Sequence, residues 1–296
     1  MVSSYKKSGV LLYIQPYMLT PVLAARNNIY LLEEAEKTRC VVLIGKMYLS
    51  LAICNEAMDT VYLIHHYQTG TKSITRSDLQ AILTQAEVVK ASSVLVGMDS
   101  YKSVLIPYSL YQPEFKEDYF NFLEDRYPDE EINEHTIASS LVELYTIKNA
   151  TRVALTGLLN EPKIISASAA LLKHYPASLI TGKEHQFFIA VKDDLVIISL
   201  YQQATLQLHQ QYPLSQEMDV VYHICNIVDL KSLPTDQIAI QIHGEHATVN
   251  RIHDLLKQHF DQVRYCNRIR EIHYPDSLYT HPTHYFYNLF ALFSCA

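Results

Sequence analysis

Glycine and paired cysteines are scarce in this sequence, and each shortage excludes a class of functional site. Only seven of the 296 residues are glycine, and no Walker A sequence is present, so a glycine-rich phosphate loop is not expected. The five cysteines lie far apart without a C-x-x-C pair, which argues against a disulfide or zinc framework and favours free thiols in a reducing compartment. No clean apolar run reaches the ~20 residues of a membrane-spanning helix, so no membrane association is expected.

Clustered basic charge is also missing. The formal net charge is −7, and no cluster of Lys or Arg exceeds two adjacent residues. Because nucleic-acid binding draws most of its affinity from a basic surface that neutralises phosphates, no nucleic-acid partner is expected. The composition, 49% hydrophobic and 19% charged, is typical of a globular chain, and the length predicts two domains.

The N-terminus has some features of a signal peptide. Lys6 and Lys7 precede an apolar stretch at residues 10–13, but Gln15, Pro16 and Pro21 interrupt its continuation. We therefore expect a cytoplasmic protein, with export through this signal-like segment as the alternative. Residues 1–38 are not explained by the patterns described below.

Two parts of the chain share one order of predicted elements. The second half has the order strand, strand, strand, helix, strand, helix, with strands at 187–191, 195–200, 205–209 and 238–242. The first half begins in the same way, with strands at 41–44, 48–54, 61–67 and 93–96 and a helix that starts after a capping box at Thr75. Gly45 and Lys192 stand 147 positions apart, as do Gly97 and Gly244. The common offset predicts an internal duplication.

The first half is extended by an insertion at about 104–150. The patterns predict a strand at 104–107, a helix at 114–127, a solvated acidic loop at 124–134, strands at 136–147 and 151–155, and a closing helix at 161–175. At the C-terminus, Phe286, Leu289, Phe290 and Phe293 form a helical stripe. Because the stripe would otherwise be an exposed apolar patch, we expect it to dock on its own chain.

A duplicated unit with this order of strands and helices resembles the actin-like (ASKHA) superfamily, which includes Hsp70 and the sugar kinases. The hydrophobic patterns at 41–54, 104–111, 187–201, 240–244 and 284–286 resemble, in this order, domain of unknown function 3822, a bacterial family regarded as an outlying actin-like group. The resemblance extends from about Val41 to the C-terminus. Its motifs are hydrophobic patterns and not catalytic signatures.

This resemblance implies an α/β fold class, a duplicated actin-like (ribonuclease H-like) fold with two lobes. Each lobe is expected to contain a mixed sheet of three antiparallel strands followed by strand–helix units, with helices on its faces. Residues 1–180 would form the first lobe, with the insertion and the ambiguous N-terminal segment. Residues 181–296 would form the second lobe and end in the docking helix.

The nucleotide-handling residues of the superfamily are largely missing. Actin-like ATPases carry Asp-x-Gly at the first hairpin of each lobe, where the acid orders magnesium or water and the turn N–H groups hold phosphate. Here Leu43 replaces the first acid, Ala190 replaces the second, and Lys192 replaces the second glycine. The residues left as candidates for a remnant nucleotide cleft are Gly45, Lys46, Asp193, Asp194 and Gly244.

Two functions remain open from the sequence. The first is a non-catalytic binding or scaffold module, a pseudo-ATPase without a cofactor, that binds an unidentified protein partner. The alternative is a weak nucleotide-binding protein, or an ATPase-like or kinase-like phosphotransferase, that uses ATP with magnesium in the interlobe cleft. The missing acids and glycines favour the first, and no catalytic residue is assigned.

The 14 histidines include two loose groups. One contains His243, His246 and His253, and the other contains His273, His281 and His284. Neither has the H-E-x-x-H spacing that places two ligands on one helix face. We therefore expect polar loop and helix-surface histidines and no metal site.

Overall fold

The computed structural model describes residues 20–27, 38–70, 72–100, 102–137, 140–192, 194–244 and 247–295. The signal-like stretch at 6–13 lies outside these residues, and of the ambiguous segment 1–38 only residues 20–27 and Thr38 are described.

The first sheet contains six strands. From one edge to the other they are β1 (Leu23–Arg26), β4 (Val61–Gln68), β3 (Tyr48–Asn55), β2 (Thr38–Ile44), β5 (Ser93–Met98) and β9 (Lys163–Ser166). The first four are antiparallel neighbours, and β5 and β9 run parallel to β2. Strands β2 and β3 are buried over nearly their whole length, as expected for continuous apolar runs covered on both faces.

The second sheet repeats this arrangement with five strands. Their order is β12 (Thr205–Pro213), β11 (Leu195–Gln202), β10 (His185–Val191), β13 (Ile238–His243) and β14 (Val263–Tyr265). Strands β10 to β12 are antiparallel, and β13 and β14 run parallel to β10. The predicted duplicated actin-like fold is therefore confirmed.

The register of the duplication differs between the hairpin and the fourth strand. The two hairpin turns coincide at the predicted offset of 147, and each is closed by a backbone hydrogen bond of 2.9 Å. In the first sheet Leu43 pairs with Gly97, whereas the residue equivalent to Leu43 in the second sheet pairs with His243. Gly97 thus corresponds to His243, and its predicted match with Gly244 is wrong by one residue.

The helices follow the same duplication. Helices α1 (Arg76–Leu83) and α4 (Asn149–Leu158) pack together on the outer face of the first sheet, as α6 (Glu217–Leu230) and α7 (Thr248–Leu256) do on the second. The predicted capping box of Thr75 and Asp78 starts α1. A single helical turn, α2 (Ala86–Val89), precedes β5.

Two further helices lie in the apolar core between the sheets. They are α5 (Ala167–His174), which follows β9, and α8 (Tyr287–Ala291), which follows β14 and a loop. The C-terminal stripe docks on its own chain here, with Phe286, Leu289 and Phe290 buried and Phe293 half-buried. This tail therefore joins the two lobes.

The insertion between β5 and α4 forms a third, antiparallel sheet. Its order is β6 (Ser103–Pro107), β8 (Leu141–Lys148) and β7 (Glu130–Ile137), and α3 (Lys116–Leu123) packs on it through Phe120. The acidic stretch at 124–134 is not entirely loop, because its second part begins β7. The strand expected at 136–147 is instead the end of β7 and most of β8.

Two other predicted boundaries are wrong for identifiable reasons. Residues 151–155 belong to α4 and not to a strand, because Ala154, Leu155 and Leu158 lie on one helical face that packs against the first sheet. The helix expected at 161–175 begins at Ala167, because the preceding residues pair with β5 as the fifth strand of the duplicated unit. Ser166 caps the shorter helix through its side chain.

Candidate functional site

The two hairpin turns face each other across the interlobe cleft. Lys46 in the β2–β3 turn lies 2.7 Å from the carboxylate of Asp194 in the β10–β11 turn. The two side chains are 44% and 47% exposed, so this pair forms the solvent-facing rim of the contact. Exposed pairs of this kind contribute little to stability, about 0–1 kcal/mol.

A second ion pair crosses the same cleft in its interior. Lys192, at the position where the superfamily has the second turn glycine, forms an ion pair with Asp99, and both side chains are only 2% exposed. Asp99 directly follows β5, and its backbone N–H donates to the carbonyl of Ile44 at 2.8 Å. Its other carboxylate oxygen accepts a 2.5 Å hydrogen bond from the Tyr48 hydroxyl. The second lobe thus supplies a buried cation, and the first lobe supplies its carboxylate.

The two candidate glycines are accounted for by close packing. A Cβ on Gly45 would lie 2.2 Å from the Tyr48 ring. Gly244 has φ +145°, and a Cβ there would lie 2.4 Å from the carbonyl oxygen of Val191. Any side chain at Gly244 would be strained, so a substitution there would report on folding as well as on binding.

The candidate residues for a remnant nucleotide cleft that the structure describes therefore lie close together at the two turns. Gly45 and Lys46 form the first turn, Asp194 lies in the second, and Gly244 contacts the strand that enters the second turn. Asp193, Glu245 and His246 lie outside the described residues.

A buried carboxyl group lies deeper in the cleft and was missed by sequence reasoning. Glu143 on β8 is fully buried, and burial raises its pKa although the nearby hydroxyls of Ser166, Ser168 and Ser103 lower it. None of these hydroxyls makes a hydrogen bond of ordinary geometry with either oxygen. Because Ser166 is the N-cap of α5, the carboxyl group lies beside the N-terminus of that helix, where negative charge is favoured.

A hydrogen-bonded histidine continues this polar interior into the second lobe. His209 on β12 is hydrogen-bonded through Nε2 to Ser168 and through Nδ1 to Ser199, each at 2.8 Å. Burial, helped by the charge of Lys192, lowers its pKa to about 3. The imidazole is therefore neutral at physiological pH and joins α5 of the first lobe to the sheet of the second.

Asp99 and Glu143 each stand in a recognisable position of the sequence. Asp99 immediately follows an apolar strand, and Glu143 is the one acid in a largely apolar strand. An acid in either position must find a partner or remain protonated when buried. The pattern indicates this need but does not identify the partner, which comes from the other lobe in the case of Asp99.

A cavity of about 460 Å³ opens beside the first turn. Its charged lining consists of Lys46, Lys102, Lys148, Asp99 and Glu130. Four of these five groups already have a partner. Lys102 lies 3.4 Å from Glu130, Lys46 bonds to Asp194, and Asp99 is paired with Lys192. The cavity therefore offers little uncompensated charge to a ligand.

The histidine groups do not form a metal centre in the part of the chain that is described. His243 is buried and hydrogen-bonded through Nε2 to the Tyr175 hydroxyl at 2.8 Å, and burial lowers its pKa to about 3. His253 stacks on Tyr265, which also stacks on His284. No group of three His, Cys, Asp or Glu side chains among the described residues could hold a metal ion. None of the described helices has both the length and the apolar character needed to cross a bilayer.

Two repeated sheets, with two helices between them and facing hairpin turns, define an actin-like ATPase fold. The model of the family described as "Protein of unknown function (DUF3822)" matches residues 28–263, and the chain belongs to this family. No match to a curated protein sequence was found.

Solved structures share this fold. One is a Bacteroides thetaiotaomicron protein with an actin-like ATPase fold and unknown function, with 16% identity over 90% of this chain and 100% of that one and a TM-score of 0.77. Another is the PilM–PilN type IV pilus biogenesis complex, with 9% identity over 87% of this chain and 98% of that one and a TM-score of 0.62. At these identities the likeness establishes the fold alone.

Proposed function

We propose that this chain is a non-catalytic actin-like module that binds a protein partner and does not hydrolyse nucleotide. The observation that carries the proposal is the buried ion pair of Lys192 and Asp99 between the two turns. In an actin-like ATPase these turns approach phosphate and magnesium. Here the place of the second turn glycine is taken by a lysine whose charge is already neutralised by the other lobe.

The energetic cost of admitting a phosphate supports the same proposal. A phosphate that captured Lys192 would leave Asp99 as a buried, largely uncompensated charge. Breaking a buried pair in this way costs about 3–5 kcal/mol, and each 1.4 kcal/mol lowers affinity tenfold. A nucleotide would therefore bind some hundredfold to thousandfold more weakly than in an open cleft.

A structural relative supports the protein partner. PilM, which has the same fold, is seen in a complex with PilN. An actin-like module can thus serve protein assembly, although a shared fold does not fix a shared function.

A thermal-shift titration with Mg-ATP, Mg-ADP and EDTA tests the proposal. A site filled at a hundred times its dissociation constant would add about 2.7 kcal/mol and raise the Tm by several degrees. We expect no change at millimolar nucleotide. A rise with Mg-ATP that EDTA removes would overturn the proposal and favour the nucleotide-binding alternative. Lys46→Ala is the matched variant, because it removes a turn cation without disturbing the buried pair.

A further inference from the structure

The insertion carries the whole net charge of the protein. Nine of the 31 acidic residues and two of the 24 basic residues lie within 114–134, so this segment has a net charge of −7 and the rest of the chain has 22 of each sign. Most of these acids are exposed. The insertion is therefore a concentrated acidic surface on an otherwise balanced protein.

The same segment exposes large apolar side chains. Phe122 on α3 is 86% exposed and its neighbour Leu123 is 64% exposed, while Phe120 alone turns fully into the core. Four more exposed large apolar residues lie close by in sequence: Tyr108, Leu110, Phe115 and Tyr127. A patch of this kind, rimmed by polar residues, is typical of an interaction site.

A groove of about 290 Å³ runs between α3 and β6. Its walls are four consecutive residues of β6, Val104 to Pro107, and the side chains of Asp118, Tyr119, Phe122 and Leu123. Because consecutive residues of the strand line it, the groove follows the backbone of β6 and not one of its faces.

The two edges of the insertion sheet differ in a way that indicates function. Strand β7 has Glu130, Glu131 and Glu134 along it, which is a common protection against unwanted pairing. Strand β6 has no charged residue, and among the described strands only β8 pairs with it. An uncharged open edge beside exposed aromatic residues is suited to strand addition.

We propose that the groove between β6 and α3 binds an extended segment of a partner protein, with an apolar centre flanked by Lys or Arg. The segment pairs with the outer edge of β6 and places alternate apolar side chains on Phe122 and Leu123. Its basic residues face the acids around the groove, among them Asp118 and Glu117. The inference rests on the proposed protein-binding function and specifies the chemistry of the partner.

The negative charge of the insertion favours a basic peptide segment over a second copy of the chain, a nucleic acid or an anionic bilayer. A second copy of the chain would bring two segments of net charge −7 together, and like charges brought into contact oppose association. A nucleic acid or an anionic bilayer would be repelled in the same way. A basic segment instead gains association rate and specificity from the complementary field.

A labelled peptide binding experiment on the full chain tests the proposal. The probe is a synthetic nonapeptide with an alternating valine and leucine centre and two lysines at each end, and the control probe has glutamates in place of the lysines. We expect the lysine probe to saturate in fluorescence anisotropy and to bind at least tenfold more weakly when salt rises from about 50 to about 300 mM. The glutamate probe should not bind.

Surface variants locate the binding. Phe122→Ser and Asp118→Lys should each weaken the lysine probe at least tenfold, and neither replaces a buried side chain. Tyr222→Ser and Asp229→Lys, at exposed positions of α6, are the matched controls and should leave the affinity unchanged. Equal affinity in all four variants would overturn the assignment to this groove.

Two further measurements test the mode and the occupant. A probe N-methylated at alternate backbone amides loses its strand hydrogen bonds, so equal binding of that probe would overturn strand addition. A dimer in sedimentation that Phe122→Ser dissociates would assign the groove to a second copy and overturn the proposal. The nucleotide titration tests the cleft, and the peptide titration tests the insertion. The proposed function and the proposed peptide groove can therefore fail independently.

Discussion

Lys192 and Asp99 form a buried ion pair between the two lobes, the lysine from the β10–β11 turn and the aspartate from the end of β5. The position of Lys192 corresponds to Gly45 in the first lobe, so the duplication places a small residue in one turn and a long cation in the other. The cation reaches across the cleft, where the Tyr48 hydroxyl also donates to its partner. The pair therefore connects the two lobes at the position where actin-like ATPases bind phosphate.

The first prediction concerns the stability that this pair provides. Lys192→Met or Asp99→Asn should each lower the free energy of unfolding by about 3–5 kcal/mol, because each leaves a buried polar group without its partner. The double variant should lose clearly less than the sum, since it removes both groups. Urea unfolding of the four proteins gives the coupling energy directly.

The exposed pair of the same cleft is the control for that cycle. Lys46→Ala and Asp194→Ala should each cost at most about 1 kcal/mol, because water screens both side chains. If variants of the exposed pair and of the buried pair lose the same free energy of unfolding, burial is not the reason why the Lys192–Asp99 pair stabilises the protein.

The second prediction tests the contact between β5 and the C-terminal tail. A Cβ on Gly97 would lie 2.5 Å from the side chain of Leu292, so Gly97→Ala should destabilise the protein by about 1–3 kcal/mol. Leu292→Ala should cost about 2–5 kcal/mol by leaving a cavity. In the double variant the new methyl group enters that cavity, so it should be no less stable than Leu292→Ala alone.

Gly157 provides the matched control for a glycine with space around it. It lies on the exposed face of α4, and a Cβ there would have no neighbour within 4 Å. Gly157→Ala should therefore be neutral or stabilise by up to about 1 kcal/mol. A loss equal to that of Gly97→Ala would mean that the Leu292 contact is not the cause.

The fold was predictable because hydrophobic periodicity is repeated along the chain. Strands β2, β3, β10 and β11 are continuous apolar runs, and their common offset indicated the duplication before any contact was known. Helix α4 was less predictable, because Thr151 and Val153 favour strands in isolation while burial against the first sheet makes their segment helical. Strand β14 has only three residues and gave no usable pattern.

The site was predictable only in part. The two turns could be located from the hairpins, and the missing acids and glycine could be read directly. The partner of Lys192 and the neighbours of Glu143 could not be predicted, because they are far away in sequence or in the other lobe. Propensity and periodicity are local, whereas the partner of a buried charge is set by how the lobes pack.

The third prediction uses the buried carboxyl group of Glu143. Burial raises its pKa above that in the unfolded chain, so the folded state holds more protons, and stability falls as pH rises from about 4.3 through the raised value. Glu143→Gln keeps the shape and cannot ionise, so its stability relative to the unsubstituted protein should increase with pH. Urea unfolding across this range measures the difference. If the exposed control Glu56→Gln shows the same trend, the pH dependence does not come from the Glu143 carboxyl group.

The last prediction concerns His209, whose pKa is shifted in the opposite direction to that of Glu143. Burial lowers its pKa to about 3, so below the ordinary imidazole pKa of about 6.5 the unfolded chain binds a proton that the folded protein does not. Its contribution to stability is complete above about pH 6.5 and is lost as pH falls toward 3, by at most about 1.4 kcal/mol per pH unit.

His209→Gln keeps a donor and an acceptor between Ser168 and Ser199 but cannot take up the proton. We therefore expect a smaller slope of unfolding free energy against pH in this variant, between about pH 4.5 and pH 6.5. The exposed His259→Gln is the control and should keep the original slope, because that ring is in solvent in either state. If the unfolding free energies of His209→Gln and the unsubstituted protein have the same slope against pH, the ring is protonated in the folded state. The hydrogen bonds to the two serines then do not require a neutral imidazole.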